Sequence, residues 1–222
     1  MSDVVGSHSR SIPVNGAAAI DLRMRDGSAR IIPGAGDSIT AEVSFSAHPD
    51  RDYRGQCTKK VIDAANVAMR RVALTIDIAI EPRGLRCSEH WTVTVPRGIS
   101  VVASGDVANL SVAGITGDVI ATVDVGNVSI RDAGASAVAR VRSVGNASVE
   151  SNTTNYSEAV AESDVGKTEL RVDGHRLDVR RAPGPGGRIA LKGSGKDRIV
   201  AETGVGDARV SLIRNSTPNA SN

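Results

Sequence analysis

Two cysteines stand in the 222-residue chain, Cys57 and Cys87, with His90 close behind the second. Oxidised, they would staple the segment between them to the sheet, and would imply an oxidising compartment. Left reduced, they are two thiols that never meet. Spacing alone does not bring their Cα atoms within bridging range, so the disulfide is a candidate and both readings stay open. A metal site built from Cys57, Cys87 and His90 lacks a paired CxxC or HxxxH spacing, and no metal ion is expected there. Asp106, Asp118, Asp124 and Asp164 sit beside glycines or in turn-like stretches. Calcium-binding β-roll turns need GGxGxD nonapeptides. Here the repeats are about twice that length, and Asn127, Asn146 and Lys167 stand where the aspartate would be. The same aspartates make a poor glycosidase pair, because sequence shows neither a set separation nor burial that raises one pKa. His8, His48, His90 and His175 are scattered and form no triad with the serine-rich turns. No catalytic residue and no cofactor is expected.

A basic stretch is the remaining candidate. Arg171, Arg176, Arg180, Arg181, Arg188, Lys192, Lys196 and Arg198 outnumber Asp173, Asp178 and Asp197. Of these, Arg176, Arg180, Arg181, Arg188, Lys192 and Arg198 would form a polyanion-binding edge. The alternative is a solvated face whose charges discourage edge-to-edge pairing. Aromatic residues are 2% of the chain, so a stacking platform for single-stranded nucleic acid is missing and no specific nucleic-acid partner is expected. The net charge of +2 selects no partner.

The elements that would carry these residues are set by a repeat. Gly105, Gly126, Gly145, Gly166, Gly187 and Gly206 recur at intervals of 21, 19, 21, 21 and 19 residues. After each comes a polar residue and then apolar residues at every second position, as in Gly126-Asn127-Val128-Ser129-Ile130. That is the period of a strand with one buried face. Second strand-like pieces such as Val119–Val123 and Ala137–Val141 lie between the glycines. Each unit would therefore hold two short strands and two turns, too little to bury its own apolar face without stacking on its neighbours. The reading is all-β: a single elongated, β-helix-like β-solenoid of about six ~20-residue repeats, roughly 29 Å long at a ~4.8 Å rung spacing. Glycine suits its corners because it tolerates positive φ. The aliphatic, aromatic-poor core favours a thin coil over a sandwich.

Before the repeats, Ala19–Met24, Ala29–Ile32 and Ile39–Phe45 read as strands, with Gly27 in the part of the later glycines. Val61, Ile62, Ala65, Ala68, Met69 and Val72 fall at helical intervals, predicting one short helical insert over about 50–72. Thr58 would cap it, and Arg70-Arg71 would sit at its C-terminal end. As a lid on the terminal rung the insert would block edge pairing. Val72–Glu81 and Trp91–Val95 alternate as two further strands. The organisation expected is 1–98, N-terminal strands with the insert, continuous with 99–213, the regular repeats, and 214–222 as a polar, frayed tail. Ala182–Gly187 reads as a loop inside one rung. No run approaches the ~18 apolar residues of a membrane-spanning helix, and the start of the chain does not read as a secretory signal.

Asp26–Ile32, Gly36–Thr40, the run Thr92–Ile99, and the iterated Ser104-Gly105-Asp106-Val107 and Thr116-Gly117-Asp118-Val119 together resemble the bacterial adhesin-like β-solenoid domains related to the auto-transporter adhesin head domain. The likeness covers most of residues 15–212. It implies a non-enzymatic binding or scaffold role, a glycan or cell-surface partner, and an extracytoplasmic, cell-envelope location; a chain lacking a leader would instead be cytoplasmic. It carries no catalytic residues over. The alternatives are a self-assembling, bactofilin-like scaffold and, against the missing aromatic platform, a polysaccharide-active β-helix enzyme.

Overall fold

The computed structural model describes residues 4–47, 57–82, 85, 87–177 and 186–213. In chain order the elements are β1 (Val4–Pro13), β2 (Ala19–Gly34), β3 (Ser38–Ser46), α1 (Lys59–Asp63), β4 (Asn66–Val72), β5 (Thr75–Glu81), β6 (Ser88–Pro96) and β7 (Ser100–Ala113). Next come β8 (Val119–Ala133), β9 (Ala137–Ser151), β10 (Tyr156–Val165), β11 (Thr168–Val172), β12 (His175–Arg176), β13 (Gly187–Lys192), β14 (Asp197–Val205) and β15 (Ala208–Leu212). The fold is all-β, and the described strands join in one extended sheet in the order β1-β3-β6-β2-β7-β8-β9-β14-β10-β13, with β5, β4, β15, β11 and β12 attached beside it.

The middle of that order is a parallel stack held in register by its apolar columns. Ile20, Val101, Val119, Ala137, Ile199 and Ala159 are successive partners, as are Leu22, Ala103, Ala121, Ala139, Ala201 and Ala161. All are buried. The later halves of the strands add a column of Ile31, Val112, Ile130, Val149, Val210 and Leu170. A one-residue slip would turn every one of these outward, so burial fixes the pairing. In the second of these columns every residue after Leu22 is alanine.

Two short strands and two turns per repeat were expected. Instead one strand of 14–16 residues runs through the glycine in β2, β7, β8 and β9, and a single turn links each to the next in β7–β9. The glycine marks a corner inside the strand, where alternation breaks: in β8, Val123 and Val128 are buried while Val125 and Asn127 face solvent. Gly126, Gly145, Gly206 and Gly166 form a column there with φ between +128° and +148°. A Cβ on Gly145 would lie 1.6 Å from the Gly126 carbonyl oxygen, and one on Gly206 1.8 Å from that of Gly145. No side chain fits that approach. Gly27 (φ +124°) holds the same position in β2, as expected. Gly105 does not: Ala108 takes the column position in β7, opposite Gly126.

Four further expectations change. The stack does not keep to chain order, because β14 and β15 thread back between β9 on one side and β10 and β11 on the other. A buried polar knot accompanies that crossover: Thr153 Oγ1 donates to Asp197 Oδ2 at 3.0 Å, and the backbone N–H groups of Lys196 and Asp197 donate to the Asn155 carbonyl. The Gly187 segment is not a further parallel rung; β13 runs antiparallel to β10. The helical insert shrinks to α1, one turn capped by Thr58, whose Oγ1 accepts from Val61 N. Residues 66–72 are instead strand β4, paired antiparallel to β5 through a turn at Ala73 (φ +53°), so Arg70 and Arg71 lie on a strand. The mixed helical and alternating spacing of that segment is resolved by β5, whose Ile76, Ile78 and Ile80 offer a buried strand edge to pair with. The part of the expected insert over 50–56 and the tail lie outside the described residues.

The first strands also build toward the stack. β5 and β6 run parallel to the two halves of β2, while β3 and β1 add antiparallel strands beyond β6. α1 packs beneath β1: Ile62 is buried, and His8 Nε2 contacts the Ile62 carbonyl at 2.7 Å.

Candidate ligand-binding face

Because strand side chains alternate, every buried column of the later half-strands has an outward column beside it. One of these is an amide ladder. Asn127 Nδ2 donates to Asn109 Oδ1 at 2.8 Å, Asn146 Nδ2 to Asn127 Oδ1 at 2.9 Å, Asp207 N to Asn146 Oδ1 at 2.9 Å, and Lys167 N to Asp207 Oδ1 at 3.2 Å. The residue after each corner glycine thus ties one level to the next, through the inserted β14–β15 connection. In the other direction the row passes through Ser28 to His90. His90 Nδ1 lies 3.0 Å from Ser28 Oγ and its Nε2 2.9 Å from Ser46 Oγ, and no carboxylate among the described residues reaches the ring.

The parallel row two residues further along carries Glu42, Thr92, Arg30, Ser111, Ser129 and Ser148 as register partners. Between the rows lies a trough of about 540 Å³ lined from Ser44 and His90 to Asn127, Ser129 and Arg131. A second hollow of about 510 Å³, lined by Ser7, Ser9, Glu42 and Val43, shares Ser44, His90 and Thr92 with it. Together they cross β1, β3, β6, β2, β7 and β8, five strand spacings or ~24 Å. Their outward chemistry is hydroxyl, amide and imidazole, with the guanidinium groups of Arg30 and Arg131 exposed in the first hollow and the carboxylate of Glu42 exposed in the second.

A smaller cavity of about 300 Å³ lies at the corner near β5, walled by Met24, Ile80 and Leu85, with Arg25 and Asp106 also lining it. Glu89 lines it from within the core. Burial pushes its pKa from 4.5 up to about 7, against the bond that Trp91 Nε1 donates to its Oε2 at 2.8 Å.

The residues singled out from sequence fall elsewhere. Cys57 and Cys87 are both buried and are joined as a disulfide, with Cα atoms 5.2 Å apart. Along the basic edge, Arg188 on β13 is held by Glu158 at 3.0 Å and Glu162 at 3.1 Å, and Arg198 on β14 lies 3.8 Å from Glu158. Lys192 sits opposite Glu158 in the β10–β13 register, and Arg176 on β12. Arg180, Arg181 and residues 182–185 of the Pro-Gly loop lie outside the described residues. Asp124 is paired with Arg142 at 3.1 Å, and Asp118 Oδ1 accepts from Ser136 N. Among the described residues no three His, Cys, Asp or Glu side chains converge as a metal site, and no helix is long and apolar enough to cross a membrane. The trough residues had a signal in the sequence: the polar positions that alternate with each apolar set, Asn127, Ser129 and Arg131 in β8.

No protein-family model matches the chain, and no curated protein matches it significantly. Solved structures do. A candidate cell adhesion protein of Clostridium sporogenes aligns over 93% of this chain and 99% of its own, at 14% identity and a TM-score of 0.58. A candidate adhesin of Bacteroides fragilis aligns over 93% and 97%, at 11% identity and a TM-score of 0.28. The first of these likenesses extends over nearly the whole length of both chains and concerns the fold.

Proposed function

We propose that this chain is a non-enzymatic, adhesin-like binding domain, a β-solenoid whose outward polar face engages an extended ligand at a cell surface. The observation that carries the reading is the double trough: two adjoining hollows, one of about 540 Å³ largely over the parallel strands β6, β2, β7 and β8 and one of about 510 Å³ over the antiparallel β1 and β3 beside them, lined mainly by serine, threonine, asparagine, histidine and arginine. Rigid strands hold these groups at a fixed spacing, which lowers the ordering cost of binding a long ligand. Fold likeness to the Clostridium protein, itself described as a candidate for cell adhesion, supports the role. The cystine supports an extracytoplasmic location, where such bonds persist. In this reading the strands of the 1–98 part and those of the 99–213 repeats form one continuous unit, a view that the pairing of β2 with β7 supports. The basic edge around Arg188 is a secondary surface, much of its charge already taken up by Glu158 and Glu162.

The test is labelled protein binding to envelope polysaccharide and to whole bacterial cells. Ser111→Trp and Ser129→Trp, which fill the trough, are expected to cut binding at least tenfold. Thr122→Trp, on the other outward half of β8, should leave it unchanged. Equal effects from both sides would remove the proposal.

A further inference from the structure

We infer that the ligand of the trough is a polyanionic glycan; this rests on the binding role proposed above and names its chemistry. Arginines on the outer surface of the stack are commonly held by carboxylates: Arg140 by Glu202 at 2.6 Å, Arg142 by Asp124 at 3.1 Å, and Arg209 by Glu169 at 2.8 Å. Arg30 and Arg131, both exposed in the trough, have no carboxylate within ion-pair distance among the described residues. Arg30 lies between Thr92 and Ser111 in its row, so its nearest strand neighbours are hydroxyls. A guanidinium left open beside hydroxyls is a ready partner for a carboxylate or sulfate, which it can grip with two parallel hydrogen bonds.

The spacing points to a sugar polymer. Arg30 on β2 and Arg131 on β8 are two strands apart, ~9.6 Å across the sheet, and offset by two residues, ~6.6 Å along the strands, so their Cα atoms are ~12 Å apart. A gap of that order spans more than one ring of an extended sugar chain, so the two guanidinium groups can meet separate acidic groups. Between them Ser111, Ser129, Asn109 and Asn127 present the donors and acceptors that ring hydroxyls need. Of the rings in the trough, Trp91 is buried and the exposed His90 imidazole is held between Ser28 and Ser46, so no Phe, Tyr or Trp face is offered for stacking on a base or a neutral sugar, and charge carries the affinity. Acidic side chains flank this stretch: Glu42 follows Thr92 in the row and lines the second hollow, and Glu150 stands on β9, so the anion-binding part is the trough over β6, β2, β7 and β8.

The experiment is isothermal titration of the full chain with polygalacturonate, dextran sulfate and unmodified dextran. Wild type is expected to bind at least one of the two polyanions and not dextran, with affinity falling steeply as salt rises. The Arg30→Gln/Arg131→Gln pair should weaken that binding at least tenfold at an unchanged melting temperature, and Arg140→Gln should not. Preference between the two polyanions separates carboxylate from sulfate recognition. Polyanion binding that is absent, or indifferent to the Arg30 and Arg131 changes, overturns the inference. Should the Ser111→Trp block still abolish attachment to cells in that case, the binding role stands with a different ligand; if it does not, both fall.

Discussion

Gly145 shows how little latitude single positions have at the corner. Its φ of +145° and the 1.6 Å approach of its absent Cβ to the Gly126 oxygen forbid any side chain. Gly145→Ala is expected to cost well over the ~1–3 kcal/mol of a strained φ alone. Gly36→Ala, where φ is also positive but nothing lies within 4 Å of the added carbon, should cost only that strain. Thermal unfolding of the two variants measures the difference, and equal losses would show that close stacking at the corner contributes nothing. Beside it, Asn146 accepts from Asp207 N and donates to Asn127. Asn146→Ala should cost about 1–2 kcal/mol at this exposed site. Glu89 gives the molecule a pH dependence. Its pKa is raised on folding, so the native state holds the proton more tightly than the unfolded chain does. The stability linked to that proton is complete below about pH 4.5 and is lost as pH rises through about 7. Urea unfolding should therefore weaken by about 3 kcal/mol across that window. Glu89→Gln, which keeps an acceptor for Trp91, should flatten the profile; a profile unchanged by the substitution would remove Glu89 as its source.

Elements divide into those whose register is set by neighbours of the same kind and those set by something else. The strands β7, β8 and β9 are legible in the sequence because glycine, polar residue and alternating aliphatics repeat in each, and Gly27 matches them by the same pattern. Their length is not legible: the corner glycine looks like a break between strands when it is a bend within one. α1 and β4 are ambiguous because Ile62, Ala65 and Met69 satisfy a helical stripe, while Val67 and Met69 also satisfy a strand; the partner β5 decides, and periodicity does not contain it. β13 carries the repeat's glycine yet runs antiparallel, since the motif specifies a half-buried strand and not its direction. The trough leaves no charge cluster in the sequence, because its outward residues are largely ordinary serines and asparagines aligned only by stacking. The bond between Cys57 and Cys87 closes a loop that holds α1, β4 and β5. Cys57→Ala/Cys87→Ala, or reductant, is expected to lower stability by ~2–4 kcal/mol for a bridge of 30 residues' separation. Thiol titration of unreduced protein should find no free thiol.

Across the whole molecule, β14 and β15 break the chain order of the stack by pairing with β9 on one side and with β10 and β11 on the other. Inserted beside β9, they carry the amide ladder from Asn146 through Asp207 to Lys167 and align a row of outward valines at the corner. Val107, Val125, Val144, Val205 and Val165 are successive partners in that row, each between 39% and 51% exposed. Branched side chains at this position favour the extended backbone and pack on one another along the stack, which accounts for them without a partner. Their spacing also gives the most direct test of the architecture on which the binding face depends. Val144 and Val205 are adjacent, whereas Val144 and Val165 are separated by an intervening strand, ~9.6 Å, beyond disulfide reach. Under mild oxidation, mapped by mass spectrometry of peptides, Val144→Cys/Val205→Cys is predicted to crosslink within the monomer and Val144→Cys/Val165→Cys to remain as free thiols. Crosslinking of the second pair and not the first would mean that the levels stack in chain order, and would contradict the account.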